Sequence, residues 1–82
     1  MMAGPVKRSV TIAGHATSIS LEPLFWTALA EAAEAESLPL NALVARIDAG
    51  RVSEPDPPNL ASAIRIWLFQ RARRPVDNNA ND

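Results

Sequence analysis

The sequence predicts a mainly α fold that opens with a short N-terminal β-ribbon, in the order β-α-α plus a third C-terminal helix, with two copies intertwined as a homodimer. Three observations carry this expectation. Residues 10–21 alternate apolar and polar side chains and are rich in β-branched types, the period of half-buried strands. From Pro23 onward the period changes to three and four, in two stripes parted by Ser37-Leu38-Pro39. A third stripe of the same kind, Leu60, Ala63, Ile64, Trp67 and Leu68, follows a proline-rich connection.

At 82 residues there is room for one domain, and a domain this short buries only about 60% of its unfolded surface. Cysteine is absent, so neither a disulfide nor a thiolate metal site adds stability, and association with a second chain is the remaining route. No apolar run reaches the ~18 residues of a membrane span, and residues 1–6 lack the apolar stretch of a signal peptide. A soluble, cytoplasmic protein without a membrane partner is expected.

In the strand region, Val10-Thr11-Ile12 and Thr17-Ser18-Ile19-Ser20-Leu21 flank Gly14 and His15. Two arrangements satisfy this pattern: a hairpin with a short loop at residues 13–16, or a regular strand over residues 17–21 preceded by an extended arm. Glu22-Pro23 ends the strand and opens the first helix, where proline's missing N–H would have had no intrahelical partner. Leu21, Phe25, Ala28, Leu29 and Ala32 form that helix's apolar face, widened by Trp26, Ala30 and Ala33, with Glu31 and Glu34 opposite. A stripe so broad asks for burial on two sides, one against its own chain and one against a partner.

The second helix carries Leu40, Leu43, Val44 and Ile47 on one side until Gly50 supplies a stop. Residues 51–58, with three prolines and two acids, read as a surface loop. Asn59 suits the N-cap of the third helix, Arg71, Arg73 and Arg74 favour its C-terminus, and Pro75 ends it. Ile66 and Phe69 lie partly off its stripe and are expected to be buried against the first helix or the other protomer. The expected organisation is a flexible N-terminus over residues 1–6, one domain over residues 7–74 and a disordered tail over residues 75–82.

Net charge is −1, but sign is segregated along the chain: Lys7 and Arg8 near the start, Arg65, Arg71, Arg73 and Arg74 near the end, and Glu22, Glu31, Glu34 and Glu36 in a stretch without Lys or Arg. For catalysis the inventory is thin, with one histidine, no cysteine and no tyrosine. His15 beside Gly14 reads as a turn residue, and a lone histidine among scattered carboxylates lacks the clustering of a metal site. The chain is read as a non-enzyme with no cofactor and no metal.

The strand is more informative. With Ile19 and Leu21 turned to a core, Ala16, Ser18 and Ser20 fall on the opposite face, which no other element is placed to cover. An isolated strand leaves unmatched backbone donors and acceptors, and a two-fold dimer would match them.

In their order and spacing, Arg8-Ser9-Val10-Thr11-Ile12-Ala13-Gly14-His15, Thr17-Ser18-Ile19-Ser20-Leu21-Glu22-Pro23, Phe25-Trp26, Leu38 with Leu40-Asn41-Ala42-Leu43-Val44-Ala45 and Ile47-Asp48-Ala49, and Asn59-Leu60-Ala61-Ser62-Ala63-Ile64-Arg65 resemble the ribbon-helix-helix superfamily of small repressors, across most of residues 7–71. The resemblance implies a homodimer that binds double-stranded DNA as a transcriptional regulator, probing the major groove with Ala16, Ser18 and Ser20. It implies phosphate contacts at Lys7, Arg8 and the backbone N–H groups of Leu40 and Asn41, and a dimer core of Ile19, Leu21, Phe25, Leu29, Leu43, Val44 and Ile47. Departures from the pattern lower the expected specificity: Ala16 and Ser20 stand where arginine is frequent, and Ser37 and Pro39 stand where similar sequences carry Gly and Ser. The competing expectation is the same dimer acting as a protein-interaction module, with the third helix or residues 51–58 holding a protein partner.

Overall fold

The computed structural model describes residues 3–74. Its alternating N-terminal segment is a hairpin: β1 (Val6–Ile12) and β2 (His15–Leu21) run antiparallel, with Val6 opposite Leu21 and Ile12 opposite His15. The loop is Ala13-Gly14 alone, both left-handed at φ 51° and 82°, the mirror-image turn whose twist matches that of the flanking strands. His15 and Ala16, expected in the loop, belong to β2, and the extended-arm arrangement is set aside. The strand expected to need a second chain thus finds its first partner within its own. The expected tail, residues 75–82, lies outside the described residues.

Helix α1 (Pro23–Ala35) has proline in its first turn, as expected. It ends in a Schellman motif: Leu38 N donates to Ala33 O at 2.9 Å and Ser37 N to Glu34 O at 3.0 Å. Ser37 takes the left-handed position that glycine normally fills, at φ 57°. Helix α2 (Leu40–Val52) passes through Gly50 rather than stopping there. A glycine inside a helix costs only about 1 kcal/mol relative to alanine, and the continued turn gains Arg51 Nε to Asp48 Oδ1 at 2.9 Å and Arg51 Nη1 to Pro58 O at 3.2 Å. Helix α3 (Leu60–Ala72) is capped by Asn59, whose Oδ1 accepts from Ser62 N at 2.8 Å.

The hairpin and the three helices close one core: Val10, Ile19 and Leu21 from the ribbon, Trp26, Leu29, Ala32 and Ala33 from α1, Leu43, Val44 and Ile47 from α2, and Ala63, Ile64 and Leu68 from α3. The buried arc of α1 centres on Trp26 and Leu29, while Phe25 is half-buried and Ala30 is exposed. Trp26 satisfies its indole N–H on Val6 O at 2.9 Å, pinning the start of β1 to α1. Of the residues expected in a dimer core, Leu21, Leu29, Leu43 and Val44 have no exposed surface in the single chain, and Ile19 and Ile47 are buried with them. They are the chain's own core. α3 packs against α1 within the same chain, while Leu24, Ala30, Glu31 and Glu34 of α1 stay exposed. Ile66 and Phe69, expected to be buried against the first helix or the other protomer, are 48% and 61% exposed in the single chain, so the first helix does not cover them; the core side of α3 is filled by Ala63, Ile64 and Leu68.

Two arginine–carboxylate clusters tie α3 to the rest. Glu22 accepts from Arg65 Nε at 3.0 Å and Nη2 at 3.3 Å, and Glu36 accepts from Arg71 at 3.0 Å and Arg46 at 3.3 Å. The hydrogen bond from Arg65 holds Glu22 below its ordinary 4.5, and those from Arg71 and then Arg46 do the same for Glu36.

Leu29→Ala should lower unfolding free energy by about 2–5 kcal/mol in a denaturant titration, since the site is fully buried. Ala13→Asn and Ser37→Gly relieve left-handed backbone at residues that tolerate it poorly, and each should raise stability by roughly 0.5–1 kcal/mol. Because both paired carboxylates are depressed in the fold, the unfolded chain binds those protons more tightly. Their contribution is whole above about pH 4.5 and is lost as pH falls through the depressed values. Melting temperature should therefore fall less steeply below that pH in Glu22→Gln/Glu36→Gln than in the wild type.

Candidate nucleic-acid interface

Directly opposed residues of an antiparallel pair share a face, so the register sorts the hairpin into two sides. Val10, Ile19 and Leu21 turn inward. Lys7, Ser9 and Thr11 of β1 stand opposite Ser20, Ser18 and Ala16 of β2 on the other side. All six are exposed except Ser20, which is half-buried, and no helix among the described residues lies over them. This outer face carries four hydroxyls, one ammonium and no carboxylate.

The backbone edges follow the same parity. Arg65 Nη2 donates to Ser20 O at 3.5 Å, so that carbonyl points away from β1. Alternate residues of a strand direct their backbone groups to the same neighbour, which turns those of Ala16 and Ser18 to this outer edge as well. Arg65 is itself fixed by Glu22, so the end of β2 is tied to α3 through one guanidinium.

Arg8 lies on the inner side of β1 by register, and its guanidinium rests over the Trp26 ring, 5.0 Å from the centroid. Lys7 is therefore the cation of the outer face. Leu40 and Asn41 are the first two residues of α2, entered from Pro39 with no side-chain cap. Their N–H groups have no acceptor within the helix. Leu40 packs its side chain on the core, while Asn41 is exposed. α2 packs against β1, which sets this helix on the inner side of the ribbon.

The structure thus gathers Lys7, Ala16, Ser18 and Ser20 on one surface and separates Arg8 from them. It adds Ser9 and Thr11, which sequence reasoning missed. The signal for them was the hairpin itself: once Ala13-Gly14 is the loop, alternation carries Ser9 and Thr11 to the side of Ser18 and Ala16.

Two strands about 4.8 Å apart make a ribbon narrow enough for a major groove about 12 Å wide. Short hydroxyls can donate to or accept from base edges there, and a face without carboxylates meets phosphate without repulsion. Among the described residues, no three His, Asp or Glu side chains come together as metal ligands, and no helix is long and apolar enough to cross a membrane.

A family model described as the ribbon-helix-helix domain matches residues 5–72, which span the hairpin and all three helices. Comparisons with curated proteins and with solved structures returned no match. Members of the matched family typically act on DNA as dimers and are typically non-enzymatic. With its β-ribbon, its two following helices and this match along most of its length, the chain belongs to the ribbon-helix-helix family of DNA-binding regulators.

Proposed function

We propose that this protein is a transcriptional regulator, acting as a repressor, whose homodimer lays the outer faces of its hairpins into the major groove of double-stranded DNA. The observation that carries this reading is the carboxylate-free outer face of Lys7, Ser9, Thr11, Ala16, Ser18 and Ser20, left uncovered by the helices of the described residues. Ser9, Thr11, Ser18 and Ser20 meet base edges, and Ala16 offers apolar contact to a thymine methyl. Lys7 and the free N–H groups of Leu40 and Asn41 hold phosphates, contacts that fix position without reading sequence. Arg8, held over Trp26, flanks the ribbon and reaches phosphate only by giving up that stacking. Because the outer face of the ribbon lacks Arg, Asn and Gln, discrimination between sequences is modest and rests partly on DNA shape.

A second reading, the same fold as a protein-interaction module with weak or no DNA binding, is favoured by the exposure of Ile66 and Phe69. One titration separates the two: fluorescence anisotropy of a labelled fragment from the protein's own upstream region, at two salt concentrations, against a scrambled fragment of equal length. The regulator reading expects tighter binding to the native fragment. Ser18→Glu, which places a carboxylate at the centre of the face, should weaken binding about tenfold or more, a loss of ~1.4 kcal/mol, and leave the fold intact. Lys7→Ala should reduce the slope of log affinity against log salt by about one for each phosphate that the ammonium neutralises. A well-folded protein that ignores both fragments at both salts returns the interaction-module reading.

A further inference from the structure

Where the turn from α1 to α2 meets the last turn of α3, a shallow hollow of about 350 Å³ is lined by Glu36, Arg46, Trp67, Gln70, Arg71 and Arg74. Three guanidiniums converge there on one carboxylate. Glu36 accepts from Arg46 at 3.3 Å and from Arg71 at 3.0 Å, and Arg74 has no ion pair among the described residues. A guanidinium carries several N–H donors in a fixed plane and stays charged, so each partner of Glu36 keeps donors for another acceptor. The hollow therefore holds more positive charge than its own acid can neutralise.

The fold does not need that excess. The Glu36–Arg71 bond already joins α3 to the end of α1, and the Arg46 side chain is 52% exposed, where an ion pair contributes little to stability. Arg46 and Arg74 instead add like-charge repulsion that a bound anion reverses. Forked donors match the oxygens of a phosphate. Gln70 adds an amide to them, and Arg71 is oriented by the Trp67 ring, 5.6 Å from its centroid. Glu36 caps α1 four residues before Leu40, and Arg46 lies six residues past it, about 9 Å along α2. A DNA strand presents a phosphate for about every 3.4 Å of duplex axis, so a backbone held at the Leu40 and Asn41 N–H groups carries further phosphates within reach of these arginines.

We infer that Arg46, Arg71 and Arg74 form a phosphate-binding site in which the ligand shares the guanidiniums with Glu36. The site lies on the helices rather than on the ribbon, and it stands whether or not the ribbon reads bases. The same chemistry takes a phosphate of the DNA backbone or of a free phosphorylated molecule.

Two measurements on the full chain test it. NMR follows the arginine Nε–H signals as sodium phosphate is added, against sodium chloride of equal ionic strength, and DNA affinity is measured against salt for the native and scrambled fragments. Phosphate should shift the Arg46, Arg71 and Arg74 signals saturably where chloride does not. Arg46→Gln/Arg74→Gln should abolish that response, weaken both fragments alike and lower the slope of log affinity against log salt by about two for each chain bound. Circular dichroism should be unchanged, because both side chains are exposed. Arg46→Lys/Arg74→Lys, which keeps the charge and loses the fork, should recover the slope but not the full affinity. Glu36→Gln removes the competing carboxylate and should tighten phosphate binding roughly fivefold, the effect of one like charge at about 4 Å in water. A loss of DNA slope in the double glutamine variant assigns the site to the backbone, and a phosphate response with that slope unchanged assigns it to a free phosphorylated molecule. Arginine signals that treat phosphate as chloride, with a slope that ignores the double variant, overturn the inference. Wild-type protein that shows the phosphate response yet binds neither DNA fragment sinks the regulator reading alone.

Discussion

The two left-handed residues at the hairpin tip, Ala13 and Gly14, set the parity on which the rest of the molecule depends. A two-residue loop puts Ile12 opposite His15, and every later pair follows from that. A slip of one residue on either strand would exchange its faces, turning Val10, or Ile19 and Leu21, to water and polar side chains to the core. Ala13 is not the residue this turn favours, so the turn alone does not hold the register. The inner apolar set pulls in the same direction, as does the indole of Trp26, whose bond to Val6 O forms only in this alignment. Local turn, alternation and tertiary contact agree on one parity, which is how a strand pair this short specifies a single structure.

Once parity is set, the helices decide what kind of surface remains. A hairpin with two helices would leave a broad side of α1 and α2 open, and closing it with a second chain would make folding and pairing one event. Here α3 closes it, with Ala63, Ile64 and Leu68, held in place by the Glu22–Arg65 and Glu36–Arg71 bonds. The core is thereby complete within one chain.

Much of this is legible in the residues. Period two and period three-to-four place the strand region and the three helices, leaving hairpin or single strand open; Pro23 opens α1 and Asn59 caps α3 as their chemistry requires. Ala16, Ser18 and Ser20 share the uncovered face because alternation is a local property. What is not legible depends on competition between distant parts. Gly50 resembles a stop, but its helix continues because Arg51 finds acceptors on Asp48 and across the loop at Pro58. Phe25 and Trp26 are adjacent and both aromatic, and only the position of the hairpin chooses tryptophan for burial. Ile66 and Phe69 resemble core residues in a chain whose core is expected to be small. The sequence pattern cannot say that α3 completes that core within one chain and leaves those two side chains outside.

Arg65 is where the ribbon meets α3. The outer ribbon face has little positive charge, with Lys7 as its cation and a net charge of −1 over the whole chain, so an unpaired acid at its margin would weigh heavily against phosphate. Glu22 is that acid, immediately after β2, and Arg65 neutralises it with two hydrogen bonds. The same guanidinium holds the Ser20 carbonyl at the end of the ribbon and lies over the Phe25 ring of α1. One side chain of α3 thus fixes the last residues of β2, screens the acid that follows them and ties both to the first helix, so the margin of the outer face is set by α3 as much as by the hairpin.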